Sequence, residues 1–245
     1  MVAKKIDIYQ KYTSTSMLTG QNEEELTQWS IGYFVAHIAQ HLPENKDANI
    51  FEIGCGYGRY VKAVQELGYT NARGLDISEE QIEYARNYLK LTNVVVGDAI
   101  KCLDGEIETY DAILLLDVLE HLDIEYSIKL LQLVKAALKP GGVLVLQVPN
   151  ALAPLAPNRH WDITHLRAYT PHSMEQHLRL SGFSTMAHYE LPPHIHGAAS
   201  FARLILWLLL IKPLIACYML IANSCLMGGI YTTNMLTVVI NDESL

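Results

Sequence analysis

The sequence predicts an α/β protein: a mainly parallel sheet with helices packed on both faces. Two observations carry this. Short apolar runs alternate with stretches of helical periodicity along most of the chain. The first of those runs also feeds straight into a glycine loop and then a helical pattern, in FEIGCGYGRY, Phe51 to Tyr60. The chain has 245 residues, half of them hydrophobic and 18% charged, which suits one large domain with a substantial core.

The elements follow in order. Leu26, Trp29, Tyr33, Phe34, His37 and Ile38 recur at spacings of three and four, so a helix is expected from Glu23 to Leu42, ended by Pro43. Ala48 to Ile53 reads as a buried strand, and Tyr60 to Leu67 as a helix stopped by Gly68. Ala72 to Asp76 is a strand. Ser78 to Lys90 is a helix opened by a capping box, Ser78 with Gln81 three residues on. Asn93 to Val96 and Ala112 to Leu116 are strands. Between the second of these and Val143 to Val148 lies a helix, Ile124 to Leu138, with Ile128, Leu131 and Val134 on one face and LKPGG as its stop. Pro149 to Tyr169 reads as a long loop. Thr170 and Pro171 open a helix that ends near Gly182. Phe183 to Leu191 and Asn234 to Ile240 are the last two strands.

Composition narrows the partners. A net charge of −8 disfavours nucleic acid, and anionic membrane held by bulk electrostatics. The four cysteines, Cys55, Cys102, Cys217 and Cys225, form no CxxC pair, as expected of reduced thiols in a cytoplasmic protein. The opening MVAKKIDIYQKYTS has two lysines but no apolar core behind them, unlike a signal peptide.

Gly54, Gly56 and Gly58 lie between a strand and a helix N-terminus, where unpaired N–H groups favour a nucleotide-like ligand and bare backbone lets it approach. No Lys-Ser or Lys-Thr follows, so the loop is not a P-loop. It reads GxGxG rather than the dinucleotide GxGxxG, which disfavours a nicotinamide-dependent oxidoreductase. Three acids end successive strands beside it: Asp76 in GLDIS, Asp98 in VVVGDA and Asp117 in LLLDVLEHL.

From Asn49 to Leu191 this series resembles the class I S-adenosylmethionine-dependent methyltransferases. EIGCGYGRY is similar to that family's first motif. LDIS, GDA, LLLDVLEHL and LKPGGVLVLQVPN are similar to its later motifs, in the same order. The resemblance implies a Rossmann-like, seven-stranded, mostly parallel sheet with an antiparallel last strand. It implies one methyltransferase domain: an N-terminal helical cap (1–47), a cofactor-binding core (48–191), an apolar helical insert (198–229), and the last strand and tail (230–245). It also implies S-adenosyl-L-methionine as cofactor. Gly54, Cys55 and Gly56 would line its methionine part, with Gly58 completing the loop and Glu52 supporting it. Asp76 would bind the ribose hydroxyls with Ile77 against the adenine. Asp98 would accept the adenine amino group, with a backbone contact from Ala99. Asp117 would sit near the methionyl amine or the acceptor entrance.

Methyl transfer from a sulfonium is an in-line displacement, so alignment and exclusion of water are the main tasks. A hydroxyl acceptor must also lose a proton, and histidine is the usual base. His121 follows the fourth strand, and His160 and His165 lie in NRHWDITHLRAYT after the fifth. Methyltransferases of this kind show a similar Asp-x-x-His stretch there. His165 is therefore expected as base or acceptor-positioning group, oriented by Asp162, with His121 as a further catalytic candidate. Glu120, His121 and His165 can be drawn as metal ligands, but their pattern is not distinctive and no metal is expected.

The insert from Ala198 to Gly229 is more apolar than a roof over a cleft requires. Lys212 and Pro213 break it near the middle, which suggests two short helices with a kink. A single crossing would also strand the last β-strand on the wrong side of a membrane. Two readings stand: interfacial contact with the inner face of the membrane, or a cleft roof or homodimer interface. The layout is similar to methyltransferases of surface-polysaccharide gene clusters, and rivals are quinone-ring O-methyltransferases and a non-catalytic cofactor-binding module. The expected activity is therefore methyl transfer to a hydroxyl of a small-molecule or lipid-linked glycan acceptor, without nucleic acid.

Overall fold

A computed structural model describes residues 23–242. The reading of the N-terminal opening, and the cap and tail over residues 1–22 and 243–245, lie outside that range. The first helix, α1 (Glu23–His37), continues as a short 3-10 turn (Ala39–His41) and stops before Pro43, which accounts for the single helix expected to Leu42. Then come β1 (Asn49–Ile53), α2 (Arg59–Glu66), β2 (Asn71–Asp76), α3 (Glu79–Asn87), β3 (Val94–Val96) and a short α4 (Ala99–Leu103). The second half holds β4 (Tyr110–Leu116), α5 (Ile124–Ala137), β5 (Leu138–Pro149), a one-turn α6 (Pro157–Trp161), α7 (Pro171–Leu180) and β6 (Thr185–Glu190). A long apolar helix and β7 (Asn234–Ile240) close the chain.

The sheet has seven strands in the order β3-β2-β1-β4-β5-β7-β6. The pairs β1–β2, β1–β4, β2–β3 and β4–β5 are parallel, and β7 runs antiparallel to both β5 and β6. Its two faces carry two cores. One joins Ile113, Leu115, Leu144 and Leu146 to Leu130, Leu131 and Val134 of α5; the other joins Ile50, Leu114 and Val145 to Phe34 and Ile38 at and beyond α1. The strands β4 and β5 feed both cores, which is why they read as unbroken apolar runs. The strand order reverses between β1 and β4, the place where open α/β sheets hold their ligands.

Three details depart from the sequence reading. LKPGG is the irregular start of β5, with Leu138 paired to Tyr110 and a register shift before Ala112. The Pro149 to Tyr169 loop contains α6, and Asp98 opens the unexpected α4. The insert is one continuous helix of 26 residues, Ala198–Asn223: α8 (Ala198–Leu206), a π turn (Trp207–Ile211) and α9 (Lys212–Asn223). Proline at 213 removes an N–H and crowds the carbonyl four residues back. The widened π turn just before it absorbs that misfit, so no break forms.

Candidate active site

The cofactor end of the cleft is built from backbone. The amides of Gly54 and Cys55 both donate to the Leu75 carbonyl (2.7 and 2.9 Å), which ties the loop after β1 to the end of β2. Gly54, Gly56 and Gly58 have φ of +73°, +53° and +77°. A Cβ on Gly54 would lie 2.5 Å from Val118 Cγ2, and one on Gly58 2.4 Å from Leu91 Cδ1. At those two positions both conformation and space exclude any side chain. Gly58 caps α2 with no side-chain acceptor, so the loop leads directly into a helix N-terminus.

Asp76 latches this loop. One carboxylate oxygen accepts from the Gly56 amide and the other from the Ser78 amide, each at 2.8 Å. Burial pushes its pKa up, and amides from Ser78, Gly56 and Ile77 partly offset this. Ile77 is half-buried beside it. Glu52 lies fully buried beneath the loop, as a support rather than a contact surface. Burial raises its pKa strongly, against a hydrogen bond from the Val61 amide and with the Asp76 charge adding to the rise. The Cys55 side chain is buried and packs toward Gly74, where even a Cβ would come within 2.8 Å of the sulfur, so any lining it gives the cofactor is by backbone. Burial likewise raises the thiol pKa.

Asp98 caps α4 through the Lys101 amide (3.0 Å) and accepts the Tyr126 hydroxyl on its other oxygen (2.9 Å). A carboxylate offers about four acceptor positions, so an adenine amino group would share Asp98 with Tyr126. Ala99, the first residue of α4, packs on the core beside it.

The opposite end is built from side chains. Asp117 follows β4 with φ +58°, a strained conformation for a residue other than glycine. It accepts from Gln147 Nε2 (2.7 Å) and Asn234 Nδ2 (3.3 Å). Its carboxylate is open to the cleft and walled by protein elsewhere, and that desolvation raises its pKa. Gln147 in turn accepts from the Tyr33 hydroxyl at 2.7 Å. Asn234 accepts from Asn158 Nδ2 at 2.6 Å.

The Asn158 carbonyl meets His165 Nδ1 at 2.6 Å. A carbonyl can only accept, so Nδ1 carries the proton and Nε2 the lone pair in the neutral ring. Nε2 lies 4.0 Å from Glu120 Oε1. The rings of His165 and His121 meet edge to face with centroids 4.6 Å apart. Asp162 was expected to orient His165. Its carbonyl accepts from the His165 amide (3.2 Å), its Oδ1 accepts from the Thr164 amide (2.8 Å) and hydroxyl (2.6 Å), and Thr164 Oγ1 contacts His121 Nδ1 at 2.7 Å. Asp162 thus reaches His121 through Thr164, because the turn Asp162 makes with Thr164 points its carboxylate back along its own loop. His160 is exposed. Arg159 donates to the carbonyls of His165 and Leu166, and Leu166 donates to the Glu120 carbonyl (2.8 Å), so the loop is held against the strand end.

Tyr33, Gln147, Asn158, Thr164 and Asn234 were not singled out in the sequence. Gln147 alone carried a signal, as a polar residue in the apolar run VLVLQV. Above this end, Trp29 and Tyr33 of α1 stack at 5.4 Å and His194 packs on both, at 5.2 and 6.0 Å.

The family described as a methyltransferase domain matches residues 28–188, well over half of the chain. A ubiquinone biosynthesis O-methyltransferase of Rickettsia bellii (strain OSU 85-389) is 28% identical over 123 residues, 49% of this chain and 50% of that protein. An N-terminal Xaa-Pro-Lys N-methyltransferase 1 of Xenopus tropicalis is 25% identical over 120 residues, 46% of this chain and 54% of that protein. The chain spans about half the length of these curated relatives. Among solved structures, a SAM dependent methyltransferase from Archaeoglobus fulgidus superposes with a TM-score of 0.63 at 21% identity, covering 87% of this chain and 94% of that one. That likeness concerns the fold.

Proposed function

Since this chain belongs to the class I S-adenosylmethionine-dependent methyltransferases, we propose that it methylates a hydroxyl on a ring that carries a lipid tail, at a membrane surface. The acceptor oxygen attacks the cofactor methyl in line; the C–O bond forms as the sulfonium C–S bond breaks and a neutral thioether leaves. The hydroxyl proton is drawn off at the cluster of Glu120, His121 and His165. The relatives that act as ubiquinone biosynthesis O-methyltransferases favour a ring acceptor over the lipid-linked glycan expected from sequence. Both readings share a hydroxyl and a lipid.

The observation that carries the proposal is the helix Ala198–Asn223. It is long and apolar enough to cross a bilayer, yet Ser200 is its only buried residue. It does not cross, because β6 before it and β7 after it pair in one sheet. Only residues 224–229 separate its end from buried Ile230 and Tyr231. Six residues reach about 20 Å, short of a hydrocarbon core of about 30 Å. Lys212 also pins its midpoint to Glu190 at 2.5 Å. The helix is therefore tethered to the body at its midpoint while its sides stay exposed. Leu208, Leu209, Leu210 and Ile211 are exposed in succession, 46%, 75%, 48% and 36%. Four consecutive positions sample every side of a helix, whereas a partner helix in a dimer covers one face; a lipid surface wets the whole exposed perimeter.

The test uses cofactor labelled on its methyl group, with the chain added to a membrane extract and the products partitioned. Label on an oxygen of a ring lipid is the expected result. Label on nitrogen, or in water-soluble molecules, overturns the acceptor reading. In parallel the chain should co-sediment with liposomes, and Leu209→Glu with Ile221→Glu should release it; an intact chain that stays in the supernatant ends the membrane claim.

A further inference from the structure

We infer that Glu120, His121 and His165 form a binding site for one divalent transition-metal cation. One ligand atom from each lies within 4.8 Å of the others. The decisive observation is Glu120. Its side chain is fully buried, it points into this cluster, and no other residue gives either carboxylate oxygen a hydrogen bond, its own backbone amide being the one donor beside it. A buried carboxylate is ordinarily paired, hydrogen-bonded or bound to metal. Asp117 and Asp162 stand near enough to add negative charge rather than relieve it. His165 Nε2 stands 4.0 Å from Oε1, too far for a hydrogen bond.

The histidines are dressed as metal ligands are. Each has one ring nitrogen fixed by an oxygen: His165 Nδ1 by the Asn158 carbonyl (2.6 Å), His121 Nδ1 by Thr164 Oγ1 (2.7 Å), which Asp162 supports at 2.6 Å. Such outer contacts set ring orientation and raise the basicity of the ligating nitrogen. Bonds of about 2.1 Å in a tetrahedral site put ligand atoms about 3.4 Å apart, so closure asks for a movement of about 1 Å from the present spread. Two imidazoles and one carboxylate suit a first-row cation such as zinc, cobalt or manganese better than calcium or magnesium, which prefer all-oxygen shells. Three protein ligands leave a coordination position open, as catalytic sites do.

The binding claim stands on these residues alone. Its consequence for chemistry rests on the proposed oxygen acceptor. Held by Glu120, His121 and His165, a cation would acidify a hydroxyl at its open position and would take over the activating role expected of His165. This departs from the expectation of no metal.

The test uses tag-free chain, stripped with chelator and titrated with cobalt(II), whose visible absorption reports nitrogen–oxygen coordination without any turnover. A saturable band at one cobalt per chain, at least tenfold weaker in affinity for both Glu120→Gln and His165→Ala, is the expected result. Cofactor binding by calorimetry in the same samples establishes that each variant is folded; His165 is a loop residue and its removal leaves the core untouched. No band in folded wild type, or a band unchanged in both variants, overturns the inference. A normal band in a chain that methylates no oxygen counts against the proposed function and leaves the metal site standing.

Discussion

The β1–β2 end of the cleft is built from backbone, and the β5–β7 end from side chains. At the first, the amides of Gly54, Cys55 and Gly56 and one carboxylate from Asp76 make the surface, all within 23 residues of sequence. At the second, Tyr33, Asp117, Gln147, Asn158, His165 and Asn234 come from α1, three strand-end segments, α6 and a loop, and are joined by a chain of hydrogen bonds. The cofactor moiety to be held is invariant, so a rigid backbone cradle suits it. An acceptor site must suit one particular molecule, and side chains on several elements can be exchanged without disturbing the sheet.

Breaking the cradle should therefore cost the whole protein, whereas breaking the network should cost only turnover. Gly58→Val is the most damaging change. It forces a β-branched residue to φ +77° and a Cβ to within 2.4 Å of Leu91. Strain and overpacking of about 1–3 kcal/mol each should lower the melting temperature by about 10 °C, as measured by circular dichroism; a melt within 2 °C or so of wild type would show that the cradle is not rigid. Asp76→Ala comes next. It deletes two hydrogen bonds to the loop, at 2.8 Å each, and the group expected to accept from the ribose. Charge-assisted bonds are worth about 1.5–3 kcal/mol, so cofactor affinity by calorimetry should fall about 100-fold, while the fold survives. Near wild-type affinity would remove Asp76 from cofactor binding.

The same contrast decides what the sequence discloses. The cradle is legible because its causes are local: a buried strand, glycines forced by φ and crowding, then a helix start, all in ten consecutive letters. The sheet is legible for the same reason, since β4 and β5 must be apolar on both faces. Cys55 is legible as a member of the loop, but letters do not record that its side chain turns inward. The link from Asp162 to His121 is not legible, because it runs through the Asx turn to Thr164. The network was hidden by distance, with Tyr33 and Gln147 separated by 114 positions and Asn234 and Asp117 by 117. The insert was read as kinked because proline normally breaks a helix; a π turn before Pro213 is a packing solution that depends on three-dimensional geometry.

Within the network the predicted effects are smaller and graded. Gln147→Leu keeps volume but removes the group that links Tyr33 to Asp117, both at 2.7 Å. It should lower kcat about 10- to 100-fold with cofactor affinity within about twofold, because Asp117 loses its strongest donor but the glycine loop is untouched. A parallel loss of cofactor affinity would mean that the two ends of the cleft are coupled. Tyr33→Phe is the finest probe. It removes one hydroxyl and keeps the ring that stacks on Trp29 and packs against His194. A single neutral hydrogen bond contributes about 0.5–1.5 kcal/mol, so kcat should fall about 3- to 10-fold and acceptor KM should stay near wild type if Tyr33 acts only by positioning Gln147. If KM rises instead while kcat holds, the Tyr33 hydroxyl touches the acceptor directly. The aromatic cluster of α1 would then be part of the binding pocket rather than its outer support.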